Sequence, residues 1–231
     1  GETFIYTILI ILGGGVLVGI TQAIFSSIGF EIEDALFNHM IVPGGIAAPV
    51  LAVYLAEAKR NVIENIAPVL ARIFVPLFCV VISIFLITLM FVGKGPYVDR
   101  DLLIALDLLL VFVLAMIYYS LSARPGSSSR TIHDIANYAL LVVALILDIV
   151  CLAAIVRRLA SFGFSPNKIA ALGENILLFA QLAGLSVTYG LFLIRRISFR
   201  RVELWVVGYL PVYLAWFIFV IAFLPLIFDF A

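Results

Sequence analysis

Charge is the scarcest commodity in this sequence. Only 12% of its 231 residues are Asp, Glu, Lys or Arg, while 65% are hydrophobic. A water-soluble domain carries about 25% charged and about 45–50% apolar residues. Too little polar surface is left here to cover a soluble core, so the bilayer must be the solvent for most side chains. Formal net charge is zero, and no basic stripe interleaves with aromatics, which excludes a nucleic-acid footprint. Cysteine is limited to Cys79 and Cys151, and histidine to two residues. Neither cysteine has CxxC spacing or a neighbouring His, so no metal site and no disulfide framework is expected. Both read as small buried hydrophobes. Soluble-enzyme motifs are lacking too: there is no Walker loop, HExxH or GxSxG. Gly13-Gly14-Gly15 sits inside an apolar run, without the strand and phosphate context of a nucleotide loop. No catalytic residue and no cofactor is expected; Asp99 and Asp101 with Ser161 and Ser165 form the nearest approach to an enzymatic cluster.

What is abundant is long apolar sequence. A spanning helix needs about 20 mostly apolar residues. Runs near 4–28, 41–58, 73–92, 102–121, 136–156, 169–194 and 204–228 meet or approach that length. The expectation is an all-α, polytopic transmembrane bundle of about seven spans in one domain, residues 1–231. The first span holds Gly15-x-x-x-Gly19, a spacing that lets a second helix approach closely in lipid. Residues 30–40, with Glu31, Glu33, Asp34 and His39, read as a solvated loop with a helical turn. The second span is short and carries Pro43, Gly44, Gly45 and Pro49. It is either a kinked helix, the preferred reading, or a re-entrant element shielded by its neighbours. Residues 59–72 are amphipathic and basic, which suits an interfacial helix or a connector into the next span. Trp205 and Tyr209, near the start of the last span, suit an aromatic belt.

With seven spans, nine basic residues fall on the N-terminal side and five on the other. That excess places the N-terminus in the cytoplasm. Arg195, Arg196, Arg200 and Arg201 form the densest basic cluster. They serve either as a snorkelling topology signal or as a binding patch for anionic lipid head groups. The expected partners are membrane lipids and either a second copy or another membrane subunit. No signal peptide is evident, and a first residue other than Met suggests part of a longer chain.

The acids within the spans hold the chemistry. Asp107, Asp148 and Glu174 come from three different spans. Counted from the side opposite the N-terminus at 1.5 Å per residue, they lie roughly 8, 13 and 9 Å deep. Glu174, Gln181 and Thr188 recur every seven residues, so one helix face carries a polar stripe. Carboxyls in lipid are expensive and either pair with a cation or line a wet cavity. Asp107, Asp148 and Glu174, with Gln181 further along, are therefore the candidate ion or proton site. The competing reading is structural: helix-dipole placement, with Arg100, Arg157, Arg158 or Lys168 reaching in.

Between the fifth and sixth spans stands Arg157-Arg158-Leu159-x-x-Phe162-Gly163-Phe164-Ser165-Pro166-Asn167-Lys168. This hinge resembles that of a bacterial multi-pass membrane family designated only as a domain of unknown function, whose hinge reads Arg-Ile-x-x-Tyr-Gly-Leu-Thr-Pro-x-Arg. Phe162, Phe164 and Lys168 replace its Tyr, Leu and Arg. The resemblance covers about two thirds of the chain and implies an all-helical fold and a bacterial inner-membrane location. It implies no activity. The leading functional expectation is a non-enzymatic transport or conduction module for a small solute or ion, with proton coupling through the acids. The alternative is a structural or sensory membrane subunit.

Overall fold

The computed structural model describes residues 2–58, 62–92, 100–122, 124 and 130–228, with side chains except at 58, 62–69 and 100. All regular structure among them is helical: α1 (Glu2–Ser27), α2 (Glu33–Leu36), α3 (Val42–Ala58), α4 (Val62–Val92), α5 (Arg100–Ser122), α6 (Ile132–Phe162), α7 (Pro166–Leu193), α8 (Phe199–Ile218) and α9 (Leu224–Ile227). Seven helical stretches are long and apolar enough to cross a membrane. Every backbone polar group in such a helix is satisfied within it, which is what hydrocarbon demands. The chain is an all-α polytopic bundle.

The second stretch is one helix over Glu33–Glu57. It absorbs Glu33, Asp34 and His39, which the sequence assigns to a loop, while Glu31 stays outside it, and it is not a re-entrant hairpin. A π-turn, Phe37–Ile41, joins α2 to α3, with Val42 N–H bonding Phe37 O five residues back. The last stretch repeats the device: Phe219–Phe223 is a π-turn in which Leu224 N–H bonds Phe219 O. In both cases the next residue is proline, Pro43 or Pro225. A proline ring clashes with the carbonyl four residues back and offers no donor, so widening the turn by one residue relieves both problems. The amphipathic stretch and the third span likewise form one helix, α4, which is the connector reading rather than a separate interfacial helix. The loop around Gly93–Pro96 and the Pro125–Ser129 segment lie outside the described residues.

α6 is central, packing against α4, α5 and α7. Its stretch and that of α5 are each 44% buried, against 11% for Glu33–Glu57 and 6% for Phe199–Ile227. The two latter helices are therefore peripheral: α3 leans on α1 and α8 leans on α7. The main core joins α1, α4, α5, α6 and α7 through residues such as Phe78, Phe85, Leu106, Leu110, Leu140, Leu147 and Leu182. A smaller cluster sets Tyr6 and Ile10 against Ala48 and Ala52, small residues one turn apart on α3.

Glycines mark the closest approaches, but not where the Gly15/Gly19 spacing suggests. Among the described residues nothing lies within 4 Å of a Cβ built at Gly15 or Gly19, and both are exposed, so they pack no described helix. A Cβ at Gly13 would instead meet the Phe74 ring of α4. On α7, Cβ atoms at Gly173 and Gly184 would overlap the rings of Trp216 and Trp205 on α8. Both pairs are eleven residues apart, so antiparallel α7 and α8 meet in matching register, with tryptophan laid over glycine twice. Trp205 and Tyr209 thus pack against α7. Trp205 donates Nε1–H to Gln181 O at 3.3 Å, and the Tyr209 hydroxyl donates to Leu177 O at 3.0 Å.

Candidate functional site

The hairpin α6–α7 carries the site, and its two ends differ. At the hinge face, Gly163 adopts φ 69° and ends α6, and Pro166 begins α7. Pro at the first helical position forfeits no hydrogen bond. Ser165 occupies the N-cap position in extended conformation, but its side chain makes no capping bond. The Lys168 ammonium donates to Phe162 O at 3.0 Å and Gly163 O at 2.8 Å, so it closes the hinge on the carbonyls ending α6. A cavity of about 350 Å³ opens at this face, lined by Asp107, Arg158, Ser165, Asn167 and Lys168 together with Leu103, Ile104, Ile155 and Ala171.

Asp107 stands at the inner end of that vestibule, and its Oδ1 accepts from Asn175 Nδ2 at 3.0 Å. Asn175 is fully buried and also donates to Ala171 O at 3.0 Å, while its own Oδ1 has no hydrogen-bond partner. Asp148, on α6, is fully buried, and among the described residues neither of its carboxylate oxygens has a hydrogen-bond partner. Asp107 is its charged neighbour within electrostatic reach. Cys151, one turn further along α6, feels both acids.

Glu174 behaves differently. It is exposed on α7 and lines a second cavity, of about 440 Å³, with residues of α5, α7 and α8. Among the described residues it makes no hydrogen bond or ion pair. The three acids therefore do not share a chamber. Asp107 faces the vestibule, Asp148 sits in the core and Glu174 faces the cleft. Neighbouring positions on a helix point about 100° apart, which is why Glu174 faces the cleft while Asn175 turns inward to Asp107. Gln181, two turns deeper, is fully buried; its Nε2 donates to the Tyr118 hydroxyl, and its Oε1 has no partner. Thr188 returns its hydroxyl to Gly184 O at 2.8 Å, so the polar stripe ends at Gln181.

The competing reading pairs these acids with Arg100, Arg157, Arg158 or Lys168; Arg157 and Arg158 have interactions of their own, and the Arg100 side chain lies outside the described residues. An ion pair among the described residues stands at the other end of the bundle. Arg124 Nε lies 3.1 Å from Asp134 Oδ1, with both side chains nearly buried, and its Nη2 donates to Asp134 Oδ2 at 3.2 Å. The Tyr189 hydroxyl donates to Asp134 Oδ1 at 2.9 Å, and Thr131 N–H donates to Oδ2 at 2.8 Å. Arg130 donates Nε and Nη2 to Phe192 O at 3.1 and 2.9 Å. Arg124 also stacks over the Phe192 and Phe199 rings, 4.7 and 4.3 Å from their centroids. These contacts lock the N-terminal face. The ion pair of Asp134 and the roles of Asn175 and Tyr118 carry no sequence signal beyond being polar residues in or beside apolar runs.

The basic cluster lies just beyond. Arg195, Arg196, Arg200 and Arg201 are all exposed. Arg195 takes φ 67° where α7 ends, and Arg196 N–H bonds Leu191 O at 2.9 Å. This is a Schellman-type stop with arginine where glycine is usual. Comparison with known proteins finds no matching family model, no matching curated protein and no matching solved structure.

Proposed function

We propose that this integral membrane protein is a non-enzymatic transport or conduction module for a small ion, with proton exchange at Asp148 and Asp107. The observation that carries the reading is Asp148: a fully buried carboxyl with no hydrogen-bond partner among the described residues, beside an acid that lines an open vestibule. A carboxylate without partners costs several kcal/mol to bury. A purely structural acid would be expected to show the pairing that Asp134 has. Access runs from the hinge face through Asp107, while the N-terminal face is shut. The reading carries with it the bacterial inner-membrane location that the hinge resemblance implies.

The test is proton flux into proteoliposomes, read by a trapped pH-sensitive dye under an imposed membrane potential. Wild-type protein is expected to raise flux above protein-free vesicles, and Asp148→Asn to abolish the increase while folding normally. Unchanged flux in Asp148→Asn would overturn the proposal, as would wild-type flux equal to that of protein-free vesicles.

A second reading, a structural or sensory subunit, is favoured by one observation. Gly15 and Gly19 present an open, exposed strip on α1, where another membrane helix could approach closely. Replacing both with Leu would then reduce self-association or partner capture without altering proton flux.

A further inference from the structure

We infer that the cleft between α5, α7 and α8 binds a lipophilic organic cation, with Glu174 as its counter-charge. This rests on the transport reading for its purpose, though not for its chemistry. The cleft measures about 440 Å³, within the usual range of small-molecule sites. α8 packs along α7 but makes little contact with α5, so the space between them opens sideways toward lipid. Phe217 and Ile221, at its edge, are exposed.

Three alternatives fail on chemistry. An anion would meet Glu174 and no basic lining residue among those described. A neutral apolar molecule would leave the carboxylate unbalanced in an apolar wall. A small metal cation demands several oxygen ligands to replace its hydration shell, whereas this lining offers one carboxylate and two phenols. One of those phenols, on Tyr118, is already engaged with Gln181.

An organic cation whose charge is spread beneath apolar groups meets none of these objections. Tyr118, Tyr213, Trp216 and Phe217 supply aromatic surface, and cations within about 6 Å of such faces are attracted by the ring quadrupole. Gly173 is what lets Trp216 lie flat against α7 beside Glu174, since any Cβ there would displace the ring. The neighbouring residue, Asn175, is bonded to Asp107 in the vestibule. Ala170 lines the cleft and Ala171 the vestibule, so the two cavities flank adjacent positions of α7. A cation at Glu174 and a proton at Asp107 would sense one another across that turn.

The test is equilibrium dialysis of radiolabelled tetraphenylphosphonium against the purified intact chain in detergent. Saturable binding is expected at one cation per chain. Glu174→Gln should weaken it by about tenfold or more, the scale of a lost ion pair away from water. Ala170→Trp fills the cleft without touching the charge, and should abolish binding while the unfolding midpoint holds. Uncharged triphenylphosphine oxide should compete poorly. No saturable binding by the folded wild-type chain, equal binding by Glu174→Gln, or equal competition by the neutral analogue would each overturn the inference. Because binding is measured without flux, its failure leaves the Asp148 proton experiment standing. Conversely, loss of Asp148-dependent flux leaves a cleft that binds cations without moving protons.

Discussion

Where α6 and α7 meet at the N-terminal face, Asp134 accepts from Arg124, Tyr189 and Thr131, Arg130 holds the carbonyl of Phe192, and the Arg124 guanidinium stacks over two phenylalanine rings. Where the same helices meet at the hinge face, Lys168 donates to two exposed carbonyls, Asp101, Arg157 and Arg158 have interactions of their own, and beside them lies a vestibule of about 350 Å³. One end buries a charged group with every partner it needs. The other leaves Asp107 reachable and Asp148, behind it, without partners. A bundle meant only to be rigid would gain from locking both ends. Locking one and leaving the acids behind the other fixes the direction from which they can be approached.

The largest expected effect falls on the locked end. Removing one member of a buried ion pair leaves the other charge uncompensated, at about 3–5 kcal/mol. Asp134→Ala should therefore lower stability by that amount, read as unfolding in mixed micelles of fixed composition. Lys168→Ala removes only exposed contacts at a helix C-terminus and should cost about 0.3–1 kcal/mol. Equal costs would erase the distinction between the two ends.

The close approaches come next in size. Gly184 lies under the Trp205 ring, so Gly184→Ala overpacks the α7–α8 contact and should cost about 1–3 kcal/mol. Gly15→Ala and Gly19→Ala meet open space; as helix-interior positions they should be neutral or gain up to about 1 kcal/mol. The same unfolding measurement decides between them. Destabilisation by Gly19→Ala that depends on protein concentration would instead reveal a partner helix on α1.

This contrast also marks what could be read from the sequence. Seven spans and the α6–α7 hairpin follow from local composition and spacing, which one helix sets by itself. Which glycine is covered does not. Gly15-x-x-x-Gly19 and Gly173…Gly184 are both small-residue spacings, and only the rotation of each helix against its neighbour selects the second. The acids show the same limit: depth follows from counting residues, but rotation sends Glu174 into a cleft and Asn175 toward Asp107. The helix over Glu33–Glu57 was obscured because its acids precede two prolines, a composition typical of loops. The π-turn before Pro43 is what allows it to continue.

The smallest expected effect is on access rather than on stability. Asp107 lines the hinge-face vestibule, whereas Ser120, near the other end of α5, accepts from Asn137 Nδ2 at 2.7 Å. Ser120 borders a cavity of only about 10 Å³, too small to admit more than a water. In a background with Cys79 and Cys151 replaced by Ala, Asp107→Cys and Ser120→Cys place one thiol at each end of the same helix. Thiol reaction requires access for the reagent, so a membrane-impermeant methanethiosulfonate should modify Asp107→Cys at least about tenfold faster. It should do so only when added on the side of the hinge. Comparable rates at the two positions would mean that the N-terminal face opens as readily as the hinge face. In that case the Arg124–Asp134 network would be a tether rather than a seal, and the acids would be reachable from both sides of the membrane.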